Sequence, residues 1–166
     1  WGNAASGIGL AHRRLAIVDL TPTGAQPMHS ADGRFVITYN GEVYNYLDLR
    51  AELEGLGRTF TTDSDTEVVL QAFAQRGPDA FDRFNGMFGL AIWDREERRL
   101  TLARDHFGIK PLYVAQLPAP SGEGEVLLFA SEIRPILASG LVERRVNERS
   151  VYRYLRFRAH EDGTET

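Results

Sequence analysis

TYNGEVYNY, residues 38–46, sets an Asn-Gly pair between two runs that alternate apolar and polar residues. Taken alone the pair suits a β-hairpin, because a two-residue turn of this kind needs φ > 0 at both central positions. On that reading FVITYNGEVYNY (35–46) is a strand, a turn and a second extended piece. The same two residues have another use. An Asn side-chain amide beside a Gly backbone N–H can aim two hydrogen-bond donors at one oxygen, which is what an oxyanion hole requires. Nine residues do not choose between turn and oxyanion hole.

Upstream, GIGLAHRRLAIVDL (7–20) has strand-like composition, with Ile17 and Val18 apolar before a turn at TPTGAQP (21–27). Downstream, YLDLRAELEGLG (46–57) spaces Leu47, Leu49, Leu53 and Leu56 near the helical period, with a stop at Gly55 or Gly57. A second helix starts where Ser64 or Asp65 can cap it. Glu67 falls near the N3 position, and Val68, Val69, Ala72 and Phe73 supply a buried face. RGP (76–78) ends that helix, and AFDRF (80–84) offers one more short turn. Strands follow at MFGLAIWD (87–94), RLTLARD (99–105), PLYVAQ (111–116) and VLLFAS (126–131), then short helices at SEIRPILASG (131–140) and ERSVYRYLRF (148–157). Two helices inserted in a run of strands predict an α+β fold with antiparallel sheet.

The length of 166 residues fits one domain with a real core, and 43% hydrophobic and 25% charged residues are ordinary for a soluble globular chain. A net charge of −4 and a pI near 5.6 leave no electrostatic footprint for nucleic acid or an anionic membrane. No apolar run approaches the roughly 20 residues that span a bilayer, and no signal peptide is visible, so a cytoplasmic location is expected. Cysteine is absent, which excludes disulfides, thiolate metal sites and a thiol nucleophile among these residues. The four histidines, His12, His29, His106 and His160, lack metal-ligand spacing. DSDTE (63–67) lacks the glycine and distal glutamate of a calcium loop, so no metal is expected. RRVNERSVYRYLRFR (144–158) mixes Arg with Tyr152, Tyr154 and Phe157. Val151, Tyr154 and Leu155 share one helical face, which favours an amphipathic helix packing on a neighbouring domain over a nucleic-acid stripe.

Seven stretches occur in one order: LAHRRLAIVDL (10–20), GAQPM (24–28), YNGEVYNY (39–46), SDTEV (64–68), GMFGLAIWD (86–94), RDHFGIKPLY (104–113) and ASEIRPIL (130–137). Together they resemble the glutaminase domain of glutamine-dependent asparagine synthetases. These are class II glutamine amidotransferases with the N-terminal-nucleophile hydrolase fold, and the resemblance covers nearly the whole chain. It implies a four-layer αββα sandwich of two antiparallel sheets flanked by helices, with the first strand missing here. Residues 1–145 would form the glutaminase domain, and 146–166 a helix and the start of a connection to an ATP-dependent synthetase domain.

The resemblance also assigns roles. Asn40 and Gly41 match the oxyanion donors. Arg14 matches the partner of the glutamine α-carboxylate, where a guanidinium fork gives two charge-assisted bonds; Leu15, Ile17, Val18, Glu42 and Asp65 match the rest of the glutamine pocket. Without the resemblance, Arg14 reads as a surface ion pair, Glu42 as the solvent face of a strand and Asp65 as a helix N-cap. His106 reads as a structural hydrogen-bonding residue rather than a base.

The family's nucleophile is an N-terminal Cys whose own α-amine serves as general base; this chain has no Cys, CGI start or RHRGPD-type loop. The abrupt beginning at Trp1 and the ending in HEDGTET are those expected of a piece cut at both ends. The parent would be a glutamine-hydrolysing asparagine synthetase. It would need no cofactor in this domain, and ATP and Mg²⁺ in its synthetase domain, with a homodimer allowed. Two rivals stand beside that expectation. One is an amidotransferase of the same build with another acceptor, and the other is a non-catalytic scaffold.

Overall fold

The computed structural model describes residues 1–13 and 24–157. A short antiparallel pair, β1 (Gly2–Asn3) and β2 (Ile8–Gly9), comes first. The main sheet then has four antiparallel strands in the order β3 (Met28–His29), β4 (Phe35–Val43), β5 (Gly86–Asp94) and β6 (Arg99–Arg104). The central strand β5 is apolar on both faces. Phe88, Leu90 and Ile92 are buried on one side, Ala91 and Trp93 on the other, as in a strand covered front and back. The β5–β6 connection, DREER (94–98), is the hairpin expected of a short polar stretch between two such strands. Asp94 closes it by accepting from the Glu96 and Glu97 N–H groups at 2.9 and 3.0 Å.

β4 runs without interruption through Asn40-Gly41. Nine consecutive pairs join it to β5, from Phe35 opposite Asp94 to Val43 opposite Gly86, so TYNGEVYNY contains no hairpin turn at Asn-Gly. The glycine is required for a tertiary reason. A Cβ on Gly41 would lie 2.1 Å from the Met87 carbonyl oxygen and 2.6 Å from the Phe88 Cα. Across the ladder, a Cβ on Gly86 would lie 2.2 Å from the Glu42 carbonyl oxygen. The two strands approach here more closely than side chains permit.

Helices α1 (Tyr46–Gly55) and α2 (Asp65–Arg76) pack on one face of this sheet, against Ile37, Tyr39, Phe88 and Leu90. Within α1 Leu49 and Leu53 are buried in the core, and the half-buried Tyr46 packs against it. Leu47 and Leu56, expected on the same stripe, are exposed, because positions four apart share a face more closely than the flanking leucines do. Gly57, with φ +85°, ends the helix. Ser64 caps α2 by accepting from the Thr66 N–H at 3.2 Å, and a 3-10 segment, Gly77–Arg83, follows it. Ring contacts link Phe35, Phe73, Phe81, Phe84 and Phe88 at 5.6–5.9 Å, tying both ends of the helical layer to β4 and β5.

From Tyr113 the chain forms a second compact unit. Its hairpin joins β7 (Tyr113–Pro118) to β8 (Glu125–Ala130), with α3 (Ile133–Ala138) against β8. The last described element is α4 (Glu148–Phe157), whose Val151, Tyr154 and Leu155 are exposed. The class is α+β with antiparallel sheets, as the pattern predicts. Among the described residues, no helix is long and apolar enough to cross a membrane.

Candidate functional site

Alternation along β4 decides what Asn40 and its neighbours present. Phe35, Ile37, Tyr39 and Val43 face the helices and are buried, so Asn40 and Glu42 stand on the opposite face, half-buried. The backbone alternates as well. Phe88 donates its N–H to the Asp105 carboxylate, and its carbonyl accepts from the Asp105 N–H. The backbone of Phe88 therefore faces β6, and its partner Gly41 is a pair without ladder hydrogen bonds to β5. The N–H of Gly41 points to the other edge of β4.

That edge is occupied on either side of Gly41. Two residues before it, the Tyr39 N–H donates to Gln26 Oε1 at 2.6 Å, and Gln26 Nε2 donates to the Tyr39 carbonyl at 3.0 Å. Two residues after it, the Val43 N–H donates to Asp65 Oδ2 at 3.1 Å. Among the described residues nothing accepts from the Gly41 N–H or from the Asn40 side-chain amide. Among the described residues, a backbone donor and a side-chain donor are thus left without a partner on successive residues of β4.

Asp65 stands at the first position of α2, and the cap itself is Ser64. Its carboxylate is buried at 5% exposure and accepts from the Tyr39 hydroxyl at 2.8 Å through Oδ2, the oxygen that also takes Val43. Burial raises the Asp65 pKa above the ordinary carboxylate value; the bonds from Tyr39, Val43 and Thr66 oppose the rise and the charge of Glu42 adds to it. Burial, with the charge of Asp65 next, pushes Tyr39 far up, so its hydroxyl is a fixed donor. Glu67 takes the N3 position but does not close a capping box. It accepts instead from the backbone and hydroxyl of Thr61 and Thr62, latching the loop that delivers Asp65.

The opposite face is closed by the RDHFGIKPLY stretch. Gly89, across from Asn40, has no side chain, and the Pro111 carbonyl lies 3.2 Å from where its Cβ would be, with Lys110 and Leu112 beside it. Asp105 holds that stretch in place. It is 4% exposed, and its carboxylate accepts N–H bonds from Phe88, Phe107, Ile109 and Lys110 at 3.2, 3.2, 2.8 and 2.9 Å. Arg104 adds donors to the Gly108 and Lys110 carbonyls. His106 is exposed, and none of the loop's bonds among the described residues passes through it. The structural role expected of the histidine belongs to Asp105.

Four of the predicted residues, Asn40, Gly41, Glu42 and Asp65, come together at one corner of the sheet. Arg14, Leu15, Ile17 and Val18 lie outside the described residues. Sequence reasoning missed Gln26, Tyr39 and Asp105, though each sits inside a quoted motif. Among the described residues, no group of three or more His, Cys, Asp or Glu could hold a metal ion. The arrangement places a side-chain amide and a backbone N–H on successive residues of β4, with the Glu42 carboxylate next along the strand and the Asp65 carboxylate bonded to Val43 after it.

Residues 2–165 match the family model of the glutamine amidotransferase domain. The chain is 41% identical over 132 residues to asparagine synthetase [glutamine-hydrolyzing] 1 of Bacillus subtilis, covering 80% of this chain and 20% of that protein. It is 41% identical over 128 residues to asparagine synthetase B [glutamine-hydrolyzing] of Escherichia coli, covering 77% and 22%. The chain spans about a fifth of the length of the curated relatives it matches. The glutamine phosphoribosylpyrophosphate amidotransferase of B. subtilis, solved with ADP and GMP, superposes with a TM-score of 0.62 at 23% identity, covering 78% of this chain and 28% of that one. That likeness shows the fold, the amidotransferase fold expected from the sequence. The chain belongs to the glutamine amidotransferase domain family.

Proposed function

We propose that this domain binds L-glutamine at the Asn40–Asp65 corner and serves as the glutaminase part of an asparagine synthetase. The ammonia released would pass to a synthetase region that uses ATP and Mg²⁺ to activate aspartate. The observation that carries the reading is the pair of donors on Asn40 and Gly41, unpaired among the described residues and followed by the carboxylates of Glu42 and Asp65. A tetrahedral oxyanion calls for such donors, each typically worth roughly 2.7–4 kcal/mol of transition-state stabilisation. An α-ammonium calls for the carboxylates, and Arg14 would take the α-carboxylate. The reaction also needs a thiol nucleophile, which none of the 166 residues provides.

The test is made on the full-length protein, incubated with L-glutamine, L-aspartate, ATP and Mg²⁺. The expected products are glutamate and asparagine in equal amounts. Glutamate release without asparagine would keep the glutaminase and refute aspartate as acceptor. Absence of glutamate release would refute the enzyme reading and favour a scaffold.

A further inference from the structure

We propose that Gln26 is a positioning residue for the Gly41 N–H. The inference rests on the glutamine reading of the corner, and concerns what keeps one donor of that corner open and in place. The pairing of β3 with β4 sets Ser30 against Phe35 and Met28 against Ile37. Continued in the same register, the backbone of residue 26 would bond Tyr39, and the backbone of residue 24 would cover Gly41. The ladder does not continue. At Tyr39 the Gln26 side chain stands in for a strand: one amide oxygen accepts from the backbone N–H at 2.6 Å, and one amide nitrogen donates to the carbonyl at 3.0 Å. The same nitrogen lies 3.4 Å from Thr66 Oγ1, next to Asp65 on α2.

Only a side-chain amide carries a donor and an acceptor in the geometry of a peptide group. Gln26 therefore satisfies the Tyr39 backbone while its own backbone is drawn away from the edge, and the next N–H along this edge, that of Gly41, stays unpaired among the described residues. With Asp65 holding Val43 on the far side, the donor is fixed from both directions, each anchor two residues or roughly 7 Å away along the strand. A donor held in this way needs no reorganisation when charge develops on its acceptor.

The test follows the backbone amide resonances of the ¹⁵N-labelled 166-residue chain during titration with L-glutamine, in wild type, Gln26→Glu and Gln26→Met. Glu keeps an acceptor for the Tyr39 N–H but turns a second oxygen on the Tyr39 carbonyl; Met keeps the length and removes both functions. The expected result is a glutamine-induced shift of the Gly41 resonance that falls by about half or more in both variants. The dissociation constant should stay within about threefold, because the carboxylate and ammonium of the ligand are held elsewhere. A wild-type Gly41 response in both variants would overturn the proposal and leave glutamine binding standing. Loss of all binding in folded variants would make Gln26 a binding residue, and loss of the folded spectrum in both would make it a folding residue; either overturns the proposal. A wild-type chain that shows no saturable response to glutamine would refute the site itself, and the role of Gln26 with it.

Discussion

Replacing Asp105 by Asn should loosen the frame of the site without touching the residues proposed to meet the ligand. The carboxylate accepts from Phe107 and Ile109 through Oδ1 and from Phe88 and Lys110 through Oδ2. An amide keeps one oxygen and sets an NH₂ group against the other pair of donors. If Oδ2 is the oxygen lost, the buried N–H of Phe88 goes unpaired, at about 1–3 kcal/mol, and a charge-assisted bond goes with it. A total loss of about 2–4 kcal/mol is expected, a large share of the roughly 5–15 kcal/mol typical of a domain. The pH dependence gives the sign. Burial pushes the Asp105 carboxyl up, but the N–H donors of Lys110, Ile109, Phe88 and Phe107 outweigh it and hold the pKa below the ordinary value of 3.8. A depressed folded pKa contributes stability that is complete above the unfolded pKa and is lost as pH falls through the folded one. Urea unfolding from pH 7.5 to pH 3 should therefore show a gap between wild type and Asp105→Asn that is widest near neutrality. The gap should narrow below about pH 4. A gap that stays constant with pH, or one under about 0.5 kcal/mol at neutrality, would refute the assignment of Asp105 as the ionised hub of this loop.

Other outcomes follow from the same corner. Asn40→Ala should leave the stability of the chain within about 0.5 kcal/mol in urea, and Asn40→Gly, in the interior of β4, should cost about 0.5–1 kcal/mol more. In a full-length protein that carries the nucleophile, both should lower kcat ~100- to 1,000-fold with little change in glutamine affinity; a near-wild-type rate for Asn40→Gly would remove the amide from the reaction. Gly41→Ala places a Cβ 2.1 Å from the Met87 carbonyl oxygen and should destabilise by about 3 kcal/mol or more in urea, whereas a wild-type midpoint would show that the strands can part without penalty. The 166-residue chain, having no Cys, should release no glutamate from glutamine above a buffer blank.

The parts legible in the sequence were those set by local pattern. The apolar run of β5, the Ser64 start of α2 and the Asp94 turn between β5 and β6 each carry their cause within a few residues. TYNGEVYNY was misleading locally because its glycine answers to Met87 and Phe88, more than forty residues away, and not to a turn. Leu47 and Leu56 match a helical period yet lie off the face that the sheet covers. Asn40, Gly41, Glu42 and Asp65 stand out in the sequence through their company in a motif set, and in the fold Asp65 bonds the Val43 N–H at the end of the strand that carries the other three. Gln26, Tyr39 and Asp105 escaped notice because their partners are distant or backbone groups. A side chain that replaces a strand, or a carboxylate that collects four amides, leaves no spacing to read. Only the extra polar residues in GAQPM and RDHFG hinted at Gln26 and Asp105.

Recognition of glutamine by this corner is read out by calorimetric titration of the 166-residue chain with L-glutamine and, separately, with D-glutamine. In the proposed site the carboxylate, the ammonium and the side-chain amide of the ligand would each be met by different groups: Arg14, the pair Glu42 and Asp65, and the Asn40–Gly41 donors. Inverting the α-carbon should leave at least one of them unpaired. One saturable site is expected for the L-isomer, with an affinity for the D-isomer weaker by about tenfold or more. A folded chain that gives no saturable heat with L-glutamine, or that binds both isomers equally, contradicts that recognition.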